Sequence, residues 1–362
     1  MTTQAPVRRH SVFHRLAVTD VERLTDDAVA VTFDVPDKLA DDYRFAPGQH
    51  VNVALPEGDG TRRSYSICAV PSEGRLRIAV KRIPGGEFSA YALDGLAPGA
   101  ELDVMTPAGR FTPELDPANA NHYVAIAAGS GITPVYSIIA AALETEPSSR
   151  VTLLYGNRTS RSVMFLEELA DLKDRYLDRF HIVHVLSREA MDVELTSGRI
   201  DRDRLGRLLD TVLAPDSVDD WFLCGPYAMV TELRGLLVER GVDVAHVHSE
   251  LFHVGDVPPV AREVAEPVAE GSTVNVVLDG RRTTVTIEDA DETVLEAVLR
   301  ERNDAPFACQ GGVCGTCRAK LLAGAVTMER NYALEADEVD AGYVLTCQSH
   351  PTTPEVSLDY DA

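Results

Sequence analysis

The sequence predicts a multidomain chain: a small antiparallel β-barrel, an α/β doubly wound parallel sheet, and a separate acidic α+β unit. Three observations predict it. Short alternating strands divided by Pro/Gly turns run from about His10 to Phe111, and strands and helices alternate from about Asn121 to Phe252. The chain then passes a stretch with three prolines and restarts as β at Ser272, where its charge also shifts. With 362 residues, two or three separate cores are affordable. The segments are 8–115, 116–252, a linker at 253–271, and 272–362.

In the first segment the strands are Ala28–Phe33, His50–Leu55, Arg63–Val70 and Arg75–Ile83, and no helical period exceeds two turns. Regular short strands of this kind close into a barrel. In the second, Tyr123–Ala128, Val151–Tyr155, Phe180–Leu186 and Trp221–Leu223 are apolar runs suited to buried strands. Helical stretches lie between them at Pro134–Leu143, Met164–Tyr176, Arg202–Leu213 and Tyr227–Arg240. In Met164–Tyr176, Phe165, Leu169 and Leu172 recur at helical spacing with charges opposite. In the third, Thr273–Leu278 and Thr283–Ile287 flank Asp279-Gly280, a two-residue hairpin signal, and a short helix follows Asp291.

Charge and hydropathy exclude several functions. A formal charge of −23 opposes nucleic acid and anionic membrane surfaces. No apolar run approaches the ~20 residues of a membrane span, and the first residues lack a secretory apolar region, so a cytoplasmic location is expected. From Asp256 to Ala362 there are 8 Lys/Arg against 20 Asp/Glu, an acidity able to steer docking onto a basic partner.

Of six cysteines, four fall in the last 54 residues: Cys309-x4-Cys314-x2-Cys317, then Cys347 after 29 residues. Three thiolates from one tight loop and a fourth from a distant segment is the plant-type [2Fe-2S] spacing. Gly311, Gly312 and Gly315 let backbone N–H groups turn toward the cluster sulfides. The competing assignment is a four-cysteine zinc site, which usually has two close C-x2-C pairs.

The barrel segment carries Arg63-Ser64-Tyr65-Ser66 and, further on, Ile83-Pro84-Gly85-Gly86-Glu87-Phe88-Ser89. Arg63 suits a pyrophosphate, Tyr65 offers a flat face to an isoalloxazine ring, and Ser66 offers a hydroxyl to the flavin N5/O4 edge. Gly85 and Gly86 allow backbone amides close to phosphate. In the α/β segment, Gly129-Ser130-Gly131-Ile132-Thr133-Pro134 follows a strand and opens a helix, as does Cys224-Gly225-Pro226-Tyr227. Two such turns on one sheet edge form a nucleotide cleft. Arg158, Ser187 and Arg188 follow the next two strands, and arginines there favour the 2′-phosphate of NADPH over NADH.

Together these motifs resemble the ferredoxin–NADP⁺ reductase superfamily, in the branch with a C-terminal plant-type ferredoxin domain, over nearly the whole chain. The stretches RRSYSIC at Arg62–Cys68, AIAAGSGITP at Ala125–Pro134, LLYGNRTSRSVMF at Leu153–Phe165 and ALEADEVDAGYVLTCQ at Ala333–Gln348 look most like reductase subunits of phenylacetyl-CoA epoxidases. The resemblance implies a β-grasp ferredoxin-like fold for the last segment and FAD as the flavin. It implies that Arg63, Tyr65, Ser66, Lys81, Gly86, Phe88 and Ser89 hold FAD. It places Thr133 and Cys224 near the nicotinamide, with Gly129, Gly131, Gly225 and Pro226 among the cofactor-binding residues, and Glu250 and Phe252 beside the flavin ring. Tyr65, Ser66, Cys224 and Glu250 would act at the reacting atoms.

A nicotinamide gives two electrons as hydride and a [2Fe-2S] cluster accepts one at a time, so a flavin between them is chemically required. The implied function is an NADPH-dependent reductase that delivers single electrons to an oxygenase component, the di-iron phenylacetyl-CoA epoxidase of phenylacetate degradation. The alternatives are a reductase for a steroid 9α-hydroxylase or other Rieske oxygenase, and a non-redox binding module with zinc at the four cysteines.

Overall fold

A computed structural model of the chain describes residues 12–55, 61–190, 192–252 and 271–362. Most of the expected linker and the start of the first segment lie outside these residues. The described residues form two compact units. One comprises residues 15–55, 65–190 and 192–252; the other comprises residues 271–362 with 12–14 and 61–64.

The first six strands are β1 Phe13–Thr25, β2 Ala28–Phe33, β3 His50–Ala54, β4 Arg62–Ser66, β5 Leu76–Lys81 and β6 Glu101–Met105, with β1 from Arg15 and β4 from Tyr65 belonging to the larger unit. Their sheet order is β4-β3-β6-β1-β2-β5, and the pairs β1/β2, β2/β5 and β3/β6 are antiparallel. The core is formed by inward residues such as Leu16, Val31, Val53, Ile67, Ile78 and Leu102. Between β5 and β6 lies helix α1, Glu87–Asp94, which buries Phe88, Ala92 and Leu93. Its two turns fall below the length that periodicity resolves, so the sequence shows no helix here.

The second part of this unit is a parallel sheet. Its elements in order are β7 His122–Ala128, α2 Ile132–Thr145, β8 Arg150–Asn157, α3 Leu166–Arg175 and β9 Phe180–Leu186. They continue as α4 Arg202–Thr211, β10 Asp220–Gly225, α5 Tyr227–Glu239 and β11 Val247–Leu251. The strand order β11-β10-β7-β8-β9 reverses direction at β7 and β10, so the topological switch point lies between those two strands. The expected doubly wound sheet is present, with β11 added as an edge strand that its mixed polar sequence conceals. Helix α2 is buried around most of its surface, as its run of Val, Ile and Ala demands.

The smaller unit has a five-stranded mixed sheet, a two-stranded sheet and two helices. Strands β12 Thr273–Leu278 and β13 Arg281–Thr286 form the expected hairpin, with positive φ at both Asp279 (54°) and Gly280 (67°). That is the geometry of a type I′ turn. Helix α6, Val294–Glu301, starts at a reciprocal capping box between Thr293 and Glu296. Then follow β14 Arg318–Ala323, β15 Val326–Met328, α7 Ala336–Asp340, β16 Tyr343–Leu345, β17 Ser349–Pro351 and β18 Glu355–Asp359. The order β13-β12-β18-β14-β16, with β12 and β18 parallel, grasps α6 in the expected β-grasp manner. No helix among the described residues is long and apolar enough to cross a membrane.

One glycine is structurally indispensable to the larger unit. Gly48 has φ +91°, and a Cβ there would lie 1.9 Å from the Phe111 carbonyl. Gly48→Ala is expected to lower stability by at least about 2 kcal/mol, roughly 5 °C in Tm by calorimetry.

Candidate functional site

The switch point is assembled by two strand-to-helix turns in contact. Gly129, at φ +55°, begins the turn after β7, and Tyr155 of β8 donates its hydroxyl to the Gly129 carbonyl at 3.1 Å. A Cβ on Gly131 would lie 2.1 Å from the Cys224 carbonyl at the end of β10. Only glycine permits this approach, so Gly131 packs directly against Cys224 and Gly225 at the carboxyl edge of the sheet. Thr133 is buried, and its hydroxyl donates to Ser130 O at 3.0 Å, closing its own turn. Pro226 is the N-cap residue of α5.

Beyond β8 and β9 the chain brings Arg158, Ser187 and Arg188 together. Ser187 N–H donates to Asn157 O at 2.9 Å and Arg188 N–H to Arg158 O at 2.8 Å. All three residues are exposed. The neighbouring carboxylate of Glu189 accepts from Ser160 N–H at 2.8 Å and from the Ser160 hydroxyl, so it is already engaged.

Arg63 is exposed on β4, with its guanidinium on the Arg62 carbonyl at 2.9 Å. The Tyr65 ring lies 5.3 Å from that of Phe88 at an interplanar angle of 35°. Phe88 is itself a core residue, so its ring backs Tyr65 and does not face outward. The Ser89 hydroxyl accepts from Ile83 N–H and donates to Gly86 O, both at 3.0 Å, closing the Gly85-Gly86 turn. A Cβ on Gly86 would meet that hydroxyl at 2.8 Å, so the glycine and Ser89 form one tight cradle at the start of α1. Lys81 sits 3.6 Å from Asp27. Phe252 is 41% exposed.

The Ser66 hydroxyl donates to Glu250 Oε2 at 3.2 Å. Glu250 lies beside Cys224 in the parallel register of β10 and β11. Burial pushes the Glu250 carboxyl up to about 8, opposed by the Ser66 hydrogen bond. Burial also pushes the Cys224 thiol up, and Glu250 adds to the rise. A further residue, His50 of β3, brings Nδ1 to 3.9 Å from Glu250 Oε1. Burial pushes its imidazole down to about 4. Near neutral pH both groups are therefore uncharged, and the contact is not an ion pair. His50 Nε2 is buried with no hydrogen-bond partner among the described residues. The sequence carries no signal for His50, because a single histidine in a buried strand looks like a core residue.

In the smaller unit the thiols pair two and two: Cys309 with Cys314, and Cys317 with Cys347. Four thiols in neighbouring pairs are a donor set that would hold a [2Fe-2S] cluster. The Cys309 sulfur accepts from Gly311 N–H at 3.4 Å and Cys314 N–H at 3.3 Å. Gly312 (φ +76°) and Gly315 (φ +66°) turn the loop, and a Cβ on Gly312 would meet Arg330 O at 2.9 Å. The Cys314 contact, joined by these amides, holds the Cys309 thiol down to about 5.

Barrel, switch-point cleft and paired thiols define a flavin-dependent oxidoreductase that also binds a pyridine nucleotide and a [2Fe-2S] cluster. Three family models match in the corresponding order. They are an oxidoreductase FAD-binding domain over residues 15–112, an oxidoreductase NAD-binding domain over 125–234, and a 2Fe-2S iron-sulfur cluster binding domain over 276–352. The chain belongs to the ferredoxin–NADP⁺ reductase superfamily, in the branch of reductase components with a C-terminal plant-type ferredoxin domain. It is 45% identical to a subunit of the 1,2-phenylacetyl-CoA epoxidase of Escherichia coli K12, over 97% of this chain and 99% of that one. It is 33% identical to the 3-ketosteroid-9-alpha-monooxygenase ferredoxin reductase component of Rhodococcus rhodochrous, over 99% of each. Phthalate dioxygenase reductase shares the fold, with a TM-score of 0.54 at 24% identity, over 96% of this chain and 98% of that one.

Two outcomes follow from this geometry. Cys314→Ala is expected to keep pyridine-nucleotide oxidation with ferricyanide within about twofold while abolishing one-electron delivery to a protein acceptor, measured by steady-state kinetics. The raised Glu250 carboxyl contributes stability fully present below its ordinary 4.5 and lost as pH rises through about 8. Calorimetry between about pH 5 and about pH 9 should therefore show Tm falling for the wild type and falling less for Glu250→Gln.

Proposed function

We propose that the chain takes hydride from NADPH in preference to NADH, and passes single electrons to a di-iron oxygenase acting on phenylacetyl-CoA. The arginine pair carries the nucleotide preference: Arg158 and Arg188 are joined by a backbone hydrogen bond, and the carboxylate bonded into this loop pair, Glu189, is held by Ser160. The choice of oxygenase rests on likeness to the epoxidase protein over the whole chain. The steroid monooxygenase reductases, at lower identity, support a Rieske partner as the second reading.

Bound FAD accepts a hydride and releases electrons singly, which is the chemistry this chain's residues must serve. Arg63 would bind its pyrophosphate, with Gly86 and the first amides of α1. Tyr65, backed by Phe88, would present its ring to the flavin plane. Ser66 would hold the N5/O4 edge through its hydroxyl, which Glu250 orients. The Gly129–Thr133 turn and the Cys224–Pro226 turn would seat the nicotinamide half of the nucleotide. The buried thiol of Cys224 stays protonated and uncharged there, so it excludes water without repelling the incoming dinucleotide. Cys309, Cys314, Cys317 and Cys347 would hold the [2Fe-2S] cluster.

An anaerobic titration of the purified protein, followed by visible absorption, tests the reading. Flavin and iron–sulfur bands are expected to bleach faster with NADPH than with NADH. Arg188→Ala should raise the KM for NADPH by about tenfold, equivalent to one charge-assisted hydrogen bond, and leave that for NADH within about twofold. Equal loss with both nucleotides would remove the 2′-phosphate assignment.

A further inference from the structure

Past β4, which carries Tyr65 and Ser66, the backbone stays bonded to the barrel for two more residues. Ile67 N–H donates to Gln49 O and Cys68 N–H to Arg77 O, both at 2.8 Å, so the backbone keeps its barrel register toward Ala69. The buried Ala69 carbonyl then accepts the hydroxyl of Ser137 at 2.7 Å. Ser137 is completely buried on α2, one helical turn beyond Thr133. A serine in a helix ordinarily returns its hydroxyl to the carbonyl one turn back. Here it leaves the helix for the backbone that follows β4. One hydrogen bond thus joins a point three residues past Ser66 to a point four residues past Thr133.

A second tie lies beside it. Arg77, 5% exposed on β5, donates to Glu22 of β1 at 2.7 Å and to Glu168 of α3 at 3.2 Å. Around both ties, Cys68, Val70, Ala79 and Phe111 of the barrel share one buried apolar cluster with Val135, Ile138 and Phe222. Apolar contact holds the two sheets together but is non-directional, so it leaves their register loosely specified. Hydrogen bonds are directional and supply what is missing.

We infer that Ser137, with the Arg77–Glu168 pair as a second tie, is a positioning residue that registers the flavin-side strand against the nicotinamide-side helix. This rests on the hydride-transfer reading above. Hydride transfer needs reacting atoms about 3–3.5 Å apart, and a misplacement of about 1 Å costs on the order of a hundredfold in rate.

The test uses the full chain loaded with FAD and cluster. Anaerobic stopped-flow gives the limiting rate of flavin reduction and the apparent Kd for NADPH in wild type, Ser137→Ala and Ser137→Thr. Ser137→Ala is expected to lose about tenfold in limiting rate, with Kd within about twofold and a weaker flavin–nicotinamide charge-transfer band. Ser137→Thr, which keeps the hydroxyl, should recover most of the rate. A limiting rate in Ser137→Ala equal to wild type overturns the inference, as does an equal loss in both variants. Should Ser137→Ala fail to retain flavin, Glu168→Gln carries the test from the less buried end of the second tie. A drop of about threefold supports the inference there, and an unchanged rate overturns it. If the wild type itself shows no flavin reduction by either nucleotide, the hydride-transfer reading fails first.

Discussion

The approach of Gly131 to the Cys224 carbonyl is the contact on which the nucleotide end of the larger unit depends. Strands β7 and β10 are neighbours, and each must turn into a helix at the same edge of the sheet. With a side chain at position 131 the two turns collide, at 2.1 Å for the first carbon alone. With glycine they interlock. Helices α2 and α5 then both start at the switch point, where partial positive charge at their N-termini favours an anionic ligand. The identity of Cys224 matters less than its place, since its thiol is buried and its carbonyl makes the contact.

The flavin-side cluster follows a different logic. Glu250 and His50, beside the Ser66 hydroxyl, are titratable groups kept uncharged by burial, inside a protein whose formal charge is −23. A carboxylate left ionised there would repel an anionic ligand, and an imidazolium would have to be desolvated at high cost. Neutral forms avoid both penalties and retain hydrogen-bonding capacity. Beyond β8 and β9, by contrast, Arg158 and Arg188 stand exposed at the surface.

Most of the architecture was legible in the sequence because it is written in local signals. The Gly129–Thr133 and Cys224–Pro226 turns mark the ends of β7 and β10, and Asp279-Gly280 marks a hairpin that both positive φ angles require. The cysteine spacing announces the cluster site for the same reason: three ligands lie within one loop. What was not legible depends on tertiary contact. His50 acquires its place only when β3 and β11 meet. Phe88 matches the flavin motif, yet its ring faces the core because α1 has one apolar side to bury. The helix itself is too short to show a period. Ser89 and Thr133, read as ligand contacts, have hydroxyls committed to shaping their own turns.

The four cysteines differ in their access to solvent. Cys309 is exposed, Cys314 is half-buried, and Cys317 and Cys347 are buried. Thiolate character and exposure together govern the first step of cysteine oxidation, and Cys309 has both. In preparations that have lost their cluster, ageing in air therefore begins at Cys309, while the buried pair survives longer. Because reassembly with iron and sulfide needs all four thiols, oxidation at that one residue is enough to block it.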